Sequence, residues 1–228
     1  MNSLSAPIPC KFYTKEPNLR RGRSSSSIIF SSTSSTTSTT TIKPSKDESY
    51  TVSFKTQRAC KLGISRYPDF EYDAQGGIGT GSVAKVATDN INELLVSFDL
   101  KTLYIPPLTN STTKFLGLPL PPFLKIDIVP EAFQGTINQD SGKAKFLFSA
   151  GSIYKAPPLM VKTVLTSEES KGDMKNGRGK RLDEEGNCRL VGVAKVDPID
   201  DFLMNSFLTL PTECLAELNA VISIFISS

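Results

Sequence analysis

The sequence predicts a mainly β protein: a curved antiparallel sheet or barrel built of hairpins, with one or two short C-terminal helices and α+β as the alternative class. Three observations carry that expectation. Apolar and polar residues alternate with period two in several runs between Leu94 and Val196. Turn-forming clusters (Asn138-Gln139-Asp140-Ser141-Gly142, Asn176-Gly177 and Asp183 to Asn187) punctuate those runs. A helical period emerges only after Asp197-Pro198.

The apolar residues are unevenly placed along the 228 positions. Residues 1–46 hold seven basic residues (Lys11, Lys15, Arg20, Arg21, Arg23, Lys43, Lys46) and one acid, Glu16, which leaves 19 basic and 22 acidic residues for the rest. The net charge of +3 is thus a property of the leader, and the basic pI is no argument for nucleic acid. Residues 24–41 place fifteen Ser or Thr in eighteen positions. Such a run buries too little apolar surface to offset the entropy of ordering it. With Arg20, Arg21 and Arg23 beside it, the run reads as an organelle transit peptide, plastid rather than mitochondrial because Ser/Thr dominates and no Arg-rich amphipathic helix is evident. A secretory signal would need an apolar core of about 7–15 residues, which does not follow the N-terminus. A phosphorylatable tail on a cytosolic protein is the other reading. The expected division is a Ser/Thr-rich transit peptide over 1–48 and one β-rich domain over 49–228, placed in the chloroplast stroma or at the thylakoid.

The elements follow in order. TVSFKTQRACKLGISRYP predicts a first edge strand or extended lead-in, closed by Pro68. Gly76, Gly77, Gly79 and Gly81 invite a phosphate-loop reading, but no Lys-Ser/Thr pair follows and SVAKVAT reads as a strand. A bulged approach to a strand is the expectation. INELLVSFDL sets Val96, Phe98 and Leu100 on one face against Ser97, Asp99 and Lys101, and Pro106-Pro107 ends it. Two units of similar design come next. In the first, Pro121-Pro122 precede a strand with Leu124, Ile126 and Ile128 inward, and KAKFLFSA returns from the turn at 138–142. In the second, Pro157-Pro158 precede Leu159, Val161 and Leu165, with a turn at Asn176-Gly177 and KRLD returning. CRLVGVAKV is apolar on both faces, which suits a central strand, and Gly192 marks a close backbone approach. Ile199, Phe202, Leu203 and Phe207 predict a short helix over Pro198–Leu208, with Asp200 and Asp201 in its first turn. After Pro211, TECLAELNAVISI suits a second helix or a last strand, and periodicity does not decide between them.

The Ser/Thr-rich leader, YPDFEYDAQGG and the body from LYIPPL through VGVAKVDPIDD resemble nuclear-encoded plastid proteins of green plants that carry one β-rich domain of unassigned activity. The resemblance covers roughly residues 60–220. A likeness to fibrillins, the plastid lipid-associated proteins, is one of class: this chain has no tryptophan and no counterpart of their C-terminal segment.

Chemistry is constrained by what is absent. No His is present, which removes the commonest general base and nitrogen metal ligand. Cys10, Cys60, Cys188 and Cys214 show no CxxC spacing, so no metal set and no cofactor are expected. Glu168-Glu169, Glu184-Glu185 and Asp200-Asp201 sit in turns or at a helix start, where solvation explains them, and Asp127 and Glu131 flank a strand end. The expectation is therefore a non-catalytic protein.

Two functional readings follow. In one, the sheet holds an apolar ligand (lipid, pigment or quinone), with Phe98, Phe123, Ile126, Phe133, Phe146, Phe148 and Met160 lining the site; filling a core is the competing explanation. In the other, the domain is an interaction or assembly factor at the thylakoid surface, acting as a peripheral membrane protein or on a membrane complex. Its contacts are the proline-bounded apolar loops (Tyr104, Leu118, Leu120, Tyr154) and the basic cluster with Lys175, Arg178 and Arg181. That cluster lacks interleaved aromatics, so nucleic acid is not an expected partner.

Overall fold

The computed structural model describes residues 49–64, 66–85, 92–153 and 159–227. The leader, Cys10, Tyr154 and Pro157-Pro158 lie outside the described residues.

The architecture is mainly β, as the alternation predicts. Eight antiparallel strands close into a ring in the order β1 (Ser49–Thr56), β4 (Ile78–Lys85), β5 (Glu93–Phe98), β8 (Asp127–Asn138), β9 (Ala144–Ile153), β10 (Leu159–Thr166), β13 (Asn187–Val196) and β14 (Thr212–Ser227). Pairing of β1 with β14, from Ser49↔Ser227 to Thr56↔Ala220, completes it. The first strand is therefore paired on both sides and is not an edge.

A smaller extension leaves the ring through β2 (Cys60–Ile64), which continues along the same side of β14 as β1 does. It adds β3 (Phe70–Tyr72), β6 (Thr113–Phe115) and β7 (Leu118–Pro119). Between β1 and β2 the chain bulges at Gln57–Ala59, and Ala59 takes φ 59°. Bulges of this kind let a strand change direction. Tyr72, fully buried, ties the extension to the ring by donating its hydroxyl to the Pro106 carbonyl.

The interior of the ring is filled by the chain's own phenylalanines. Phe98 stacks on Phe133 with centroids 4.5 Å apart, and Phe54 meets Phe133 edge-on at 5.1 Å. Phe146 lies 5.0 Å from Phe133, and Phe148 lies 5.8 Å from it at right angles. Offset and edge contacts are the geometries the ring quadrupole favours. Val52, Val96, Ile137, Leu165, Leu190 and Ile222 fill the space around them.

The glycines of the 76–81 run serve packing. Gly81 crosses the backbone of Ser97 and Phe98 so closely that a Cβ has no room, and at Gly79 a Cβ would sit 2.8 Å from Leu103. The first expected hairpin forms as β8–β9. The second does not. β10 pairs with β9 and β13, KRLD makes one bridge (Lys180↔Arg189), and β11 (Glu169–Lys171) with β12 (Asn176–Arg178) makes a separate small hairpin. Its turn is at Gly172–Lys175, while Asn176-Gly177 lies within β12. The reason is tertiary: Gly177 lies against Val191 and Leu215, where a side chain would not fit. That hairpin forms a flap on the outer face of β13 and β14, which explains why Val191 is buried as well as Leu190.

β13 is central, as its two apolar faces predict, and Gly192 admits Leu165 and Thr163 to where its Cβ would be, each 2.9 Å away. Helix α1 (Phe202–Leu208) forms inside the expected range. Phe202 is 81% exposed, so the expected apolar stripe is not buried at that position. The chain then ends in strand β14 rather than a second helix. Its residues pair with β13 on one side and with β2 and β1 on the other, and only an extended chain satisfies both. Leu100 also departs from expectation: β5 stops at Phe98, and Leu100 is in the following turn, 42% exposed.

Candidate functional site

The wall of the ring is incomplete at one place. Strand β5 ends at Phe98, and the carbonyl of Asp99 accepts the N–H groups of Thr102 (3.0 Å) and Leu103 (3.1 Å) in a tight turn. The chain then resumes an extended course. Tyr104 exchanges both backbone bonds with Ile78, at 2.7 and 3.0 Å, and Leu108 exchanges both with Ile126, each 2.9 Å. Between those anchors, residues 105–107 run beside the first half of β8 without a ladder, because β5 and β8 pair only from Glu93↔Asn138 to Ser97↔Gln134.

Local sequence explains the gap. Pro106 and Pro107 have no N–H to offer. On the facing strand Pro130 is followed by a register shift before Ala132, which bends β8. The result is a slot of about 550 Å3, open to the outside. Leu100, Leu103, Tyr104, Ile105 and Pro107 line one side, and Lys125, Asp127, Ile128, Val129 and Pro130 the other. Its two charges neutralise each other, with Lys125 Nζ 2.8 Å from Asp127 Oδ1.

A second apolar surface lies at the tip of β6–β7. Leu116 (φ 52°) and Gly117 (φ 79°) form a two-residue turn of the type that suits a hairpin's twist. Leucine is a costly choice there, since positive φ disfavours residues with a Cβ and Asn or Gly is the usual occupant. Leu116 and Leu118 are 71% and 70% exposed, and Phe123 just beyond is 83% exposed.

The third feature is the flap. Glu213 of β14 is buried, and its carboxylate accepts the N–H groups of Asp173 (2.9 Å), Met174 (2.8 Å) and Lys175 (3.0 Å). Those bonds, from Asp173 foremost and then Met174 and Lys175, hold the Glu213 carboxyl below the ordinary carboxylate range against the opposing effect of burial. The basic residues around the flap are all engaged. Lys175 reaches Asp69 (2.9 Å), Arg178 reaches Glu169 (3.3 Å), Lys180 reaches Asp183 (3.2 Å) and Arg181 reaches Glu168 (2.7 Å). A shallow hollow of about 290 Å3 between Glu168, Glu169, Arg178 and Arg181 is therefore lined by charges of both signs.

The residues expected to line a ligand site divide accordingly. Phe98, Phe133 and Phe146 are core, and Phe148 packs against them. Ile126 is at the end of the wall slot, bonded to Leu108. Phe123 and Met160 face outward, at 83% and 45% exposure, so they do not join the interior set. Among the expected surface residues, Tyr104 and Leu118 are exposed, as are Arg178 and Arg181. Leu120 is not: it is 8% exposed, because its N–H returns to the Thr113 carbonyl and turns the side chain inward. Lys175 is likewise largely covered, lying over Gly63 with its ammonium on Asp69 and the Tyr67 carbonyl. Reading the chain alone missed Ile105, Ile128, Val129 and Pro130. The signal was there in two proline-interrupted strands, Pro106-Pro107 and Pro130, that the topology sets side by side.

Fold and surfaces together define a class: a mainly β protein with a packed eight-strand ring, an extension tipped with leucines, and a slot in its wall. No family model, no curated protein and no solved structure matches the chain.

Proposed function

We propose that this is a non-catalytic plastid protein that acts as an interaction or assembly factor at the thylakoid surface. The observation that carries the reading is the tip of β6–β7. Leu116, Leu118 and Phe123 are largely exposed, and Leu116 is so in a backbone conformation that leucine disfavours. A local rule broken without a compensating contact among the described residues is what a partner-facing site looks like. The Ser/Thr-rich leader supports the compartment.

A photo-crosslinking residue at position 116 or 118 of the imported protein tests it. Crosslinks to a thylakoid component, lost in the Leu118→Asp protein, are expected. A protein found only as a free stromal monomer, with no crosslinks from either position, would sink the reading.

A second reading keeps an apolar small ligand, a lipid, pigment or quinone. With the ring filled by phenylalanines, this reading turns to the wall slot, whose lining is apolar apart from the Lys125–Asp127 pair. Extraction of the purified protein with organic solvent tests it, and a stoichiometric lipid or pigment is the supporting result.

A further inference from the structure

We propose that the wall slot is a vacant strand position that accepts an extended, uncharged apolar segment of a partner polypeptide. The inference rests on the interaction reading above and names the chemistry of one partner contact.

In an antiparallel ladder, successive residues turn their N–H and C=O groups to opposite sides. Tyr104 spends both of its groups on Ile78 of β4, so those of Ile105 turn away from β4, on the side of the slot that Ile105 lines. Ile126 spends both of its groups on Leu108, so those of Asp127 point to β9 and those of Ile128 point back into the slot. Neither Ile105 nor Ile128 meets a backbone partner on its slot side among the described residues. The N–H and C=O groups of Ile105 and of Ile128 thus border a hollow of about 550 Å3, while Pro106 and Pro107 add no N–H and their carbonyls accept the hydroxyls of Tyr72 and Thr112.

That arrangement selects its occupant. A lipid chain or a pigment would cover the apolar side chains but would leave the amides of Ile105 and Ile128 without partners, and an unmade bond at a covered backbone group costs about 1–3 kcal/mol. An extended peptide supplies both: backbone bonds on either side and side chains alternating outward and inward, as in strand addition to an open sheet edge. A volume of this size holds about four residues of extended chain. The Lys125–Asp127 pair leaves no net charge at the rim, so a neutral segment fits best.

The test uses the full 228-residue chain, 15N-labelled, with a panel of capped, neutral hexapeptides of alternating Thr and Val, Thr and Ile, and Ser and Leu. The expected result is that at least one peptide binds and slows amide exchange at both Ile105 and Ile128 by tenfold or more. Methylating that peptide's alternate amides should weaken binding at least tenfold. Ile128→Pro should abolish binding with an unchanged melting temperature, because the N–H it removes makes no bond to β9. Should Ile128→Pro lower the melting temperature, the methylated peptide on the natural chain still decides the matter. Four outcomes overturn the inference: no peptide binds; the methylated peptide binds equally; lauric acid fills the slot and competes with every peptide while both amides still exchange freely; or both amides are already protected in the free chain. None of these touches the crosslinking result at positions 116 and 118, so the two readings fail separately.

Discussion

The side-chain amide of Asn219 donates to the carbonyl of Ala59 at 2.8 Å, and Ala59 is where the first strand leaves the ring. The same amide donates to Arg58 at 3.1 Å, the Asn219 carbonyl oxygen of the backbone accepts from Gln57 at 2.8 Å, and the side-chain oxygen accepts from Arg189 at 3.0 Å. One residue of β14 thus supplies partners for the whole bulge between β1 and β2, and so decides where the extension with its leucine tip begins. Asn219→Ala is expected to cost about 2 kcal/mol, since it leaves carbonyls of the bulge without their donor. Chemical denaturation checks this, and an unchanged midpoint would refute the clamp.

Ala59 itself makes the converse prediction. A residue with a Cβ held in the left-handed region carries about 1–2 kcal/mol of strain that glycine does not. Against this, glycine loses more chain entropy on folding. Ala59→Gly is expected to stabilise the protein by up to about 1 kcal/mol. A thermal melt that moves down instead would show that the bulge depends on the methyl group.

At the flap, Glu213 links stability to pH. Its carboxyl is held below the ordinary range in the folded protein by the three N–H groups around it. Its contribution is therefore full above the unfolded carboxylate value, near about pH 4.3, and disappears as pH falls through the lowered folded value. Glu213→Gln is expected to cost about 2 kcal/mol at neutral pH and to flatten the acid side of the stability curve. Urea titrations across that range measure both. Equal acid sensitivity in the two proteins would overturn the assignment.

Gly177 sets the distance between flap and ring. A side chain there would collide with Val191 and Leu215. Gly177→Val is expected to lift the flap at a cost of about 2–3 kcal/mol and to speed amide exchange at Val193, whose N–H is bonded to Ser170 Oγ at 3.0 Å. Protection at Val193 that survives the substitution would argue against this.

Among the described residues three thiols are free: Cys60, Cys188 and Cys214. Burial pushes the Cys188 thiol up to about 12 and the Cys214 thiol up to about 11, and raises that of Cys60 as well. The thiolate is the reactive form, so all three should resist iodoacetamide in the folded protein at about pH 8 and react on unfolding. Mass spectrometry of native and denatured samples reads this directly. Rapid labelling of any of them in the native state would contradict the packing.

Much of this architecture was written in local pattern. Alternation at Val96 and Phe98 marked a strand with one buried face, because a pleated chain sends successive side chains to opposite sides, although the strand stops before Leu100. The turn around Gly142 and the two apolar faces of β13 were equally legible. Other features required partners distant in sequence. Asn176-Gly177 has the chemistry of a turn, yet Glu213, almost forty positions away, stabilises the turn at Gly172–Lys175 instead. The final segment had no periodicity to separate helix from strand, and the edges of β13, β1 and β2 made it a strand. Phe123 and Phe133 looked alike as apolar residues near prolines, but ring closure buried one and left the other in water. The slot belongs wholly to this second kind of information. Pro106-Pro107 and Pro130 were visible as strand interruptions, but a gap needs two of them side by side. Sequence determines which backbone groups a residue lacks; only the tertiary arrangement decides whether the missing bonds of two strands face each other.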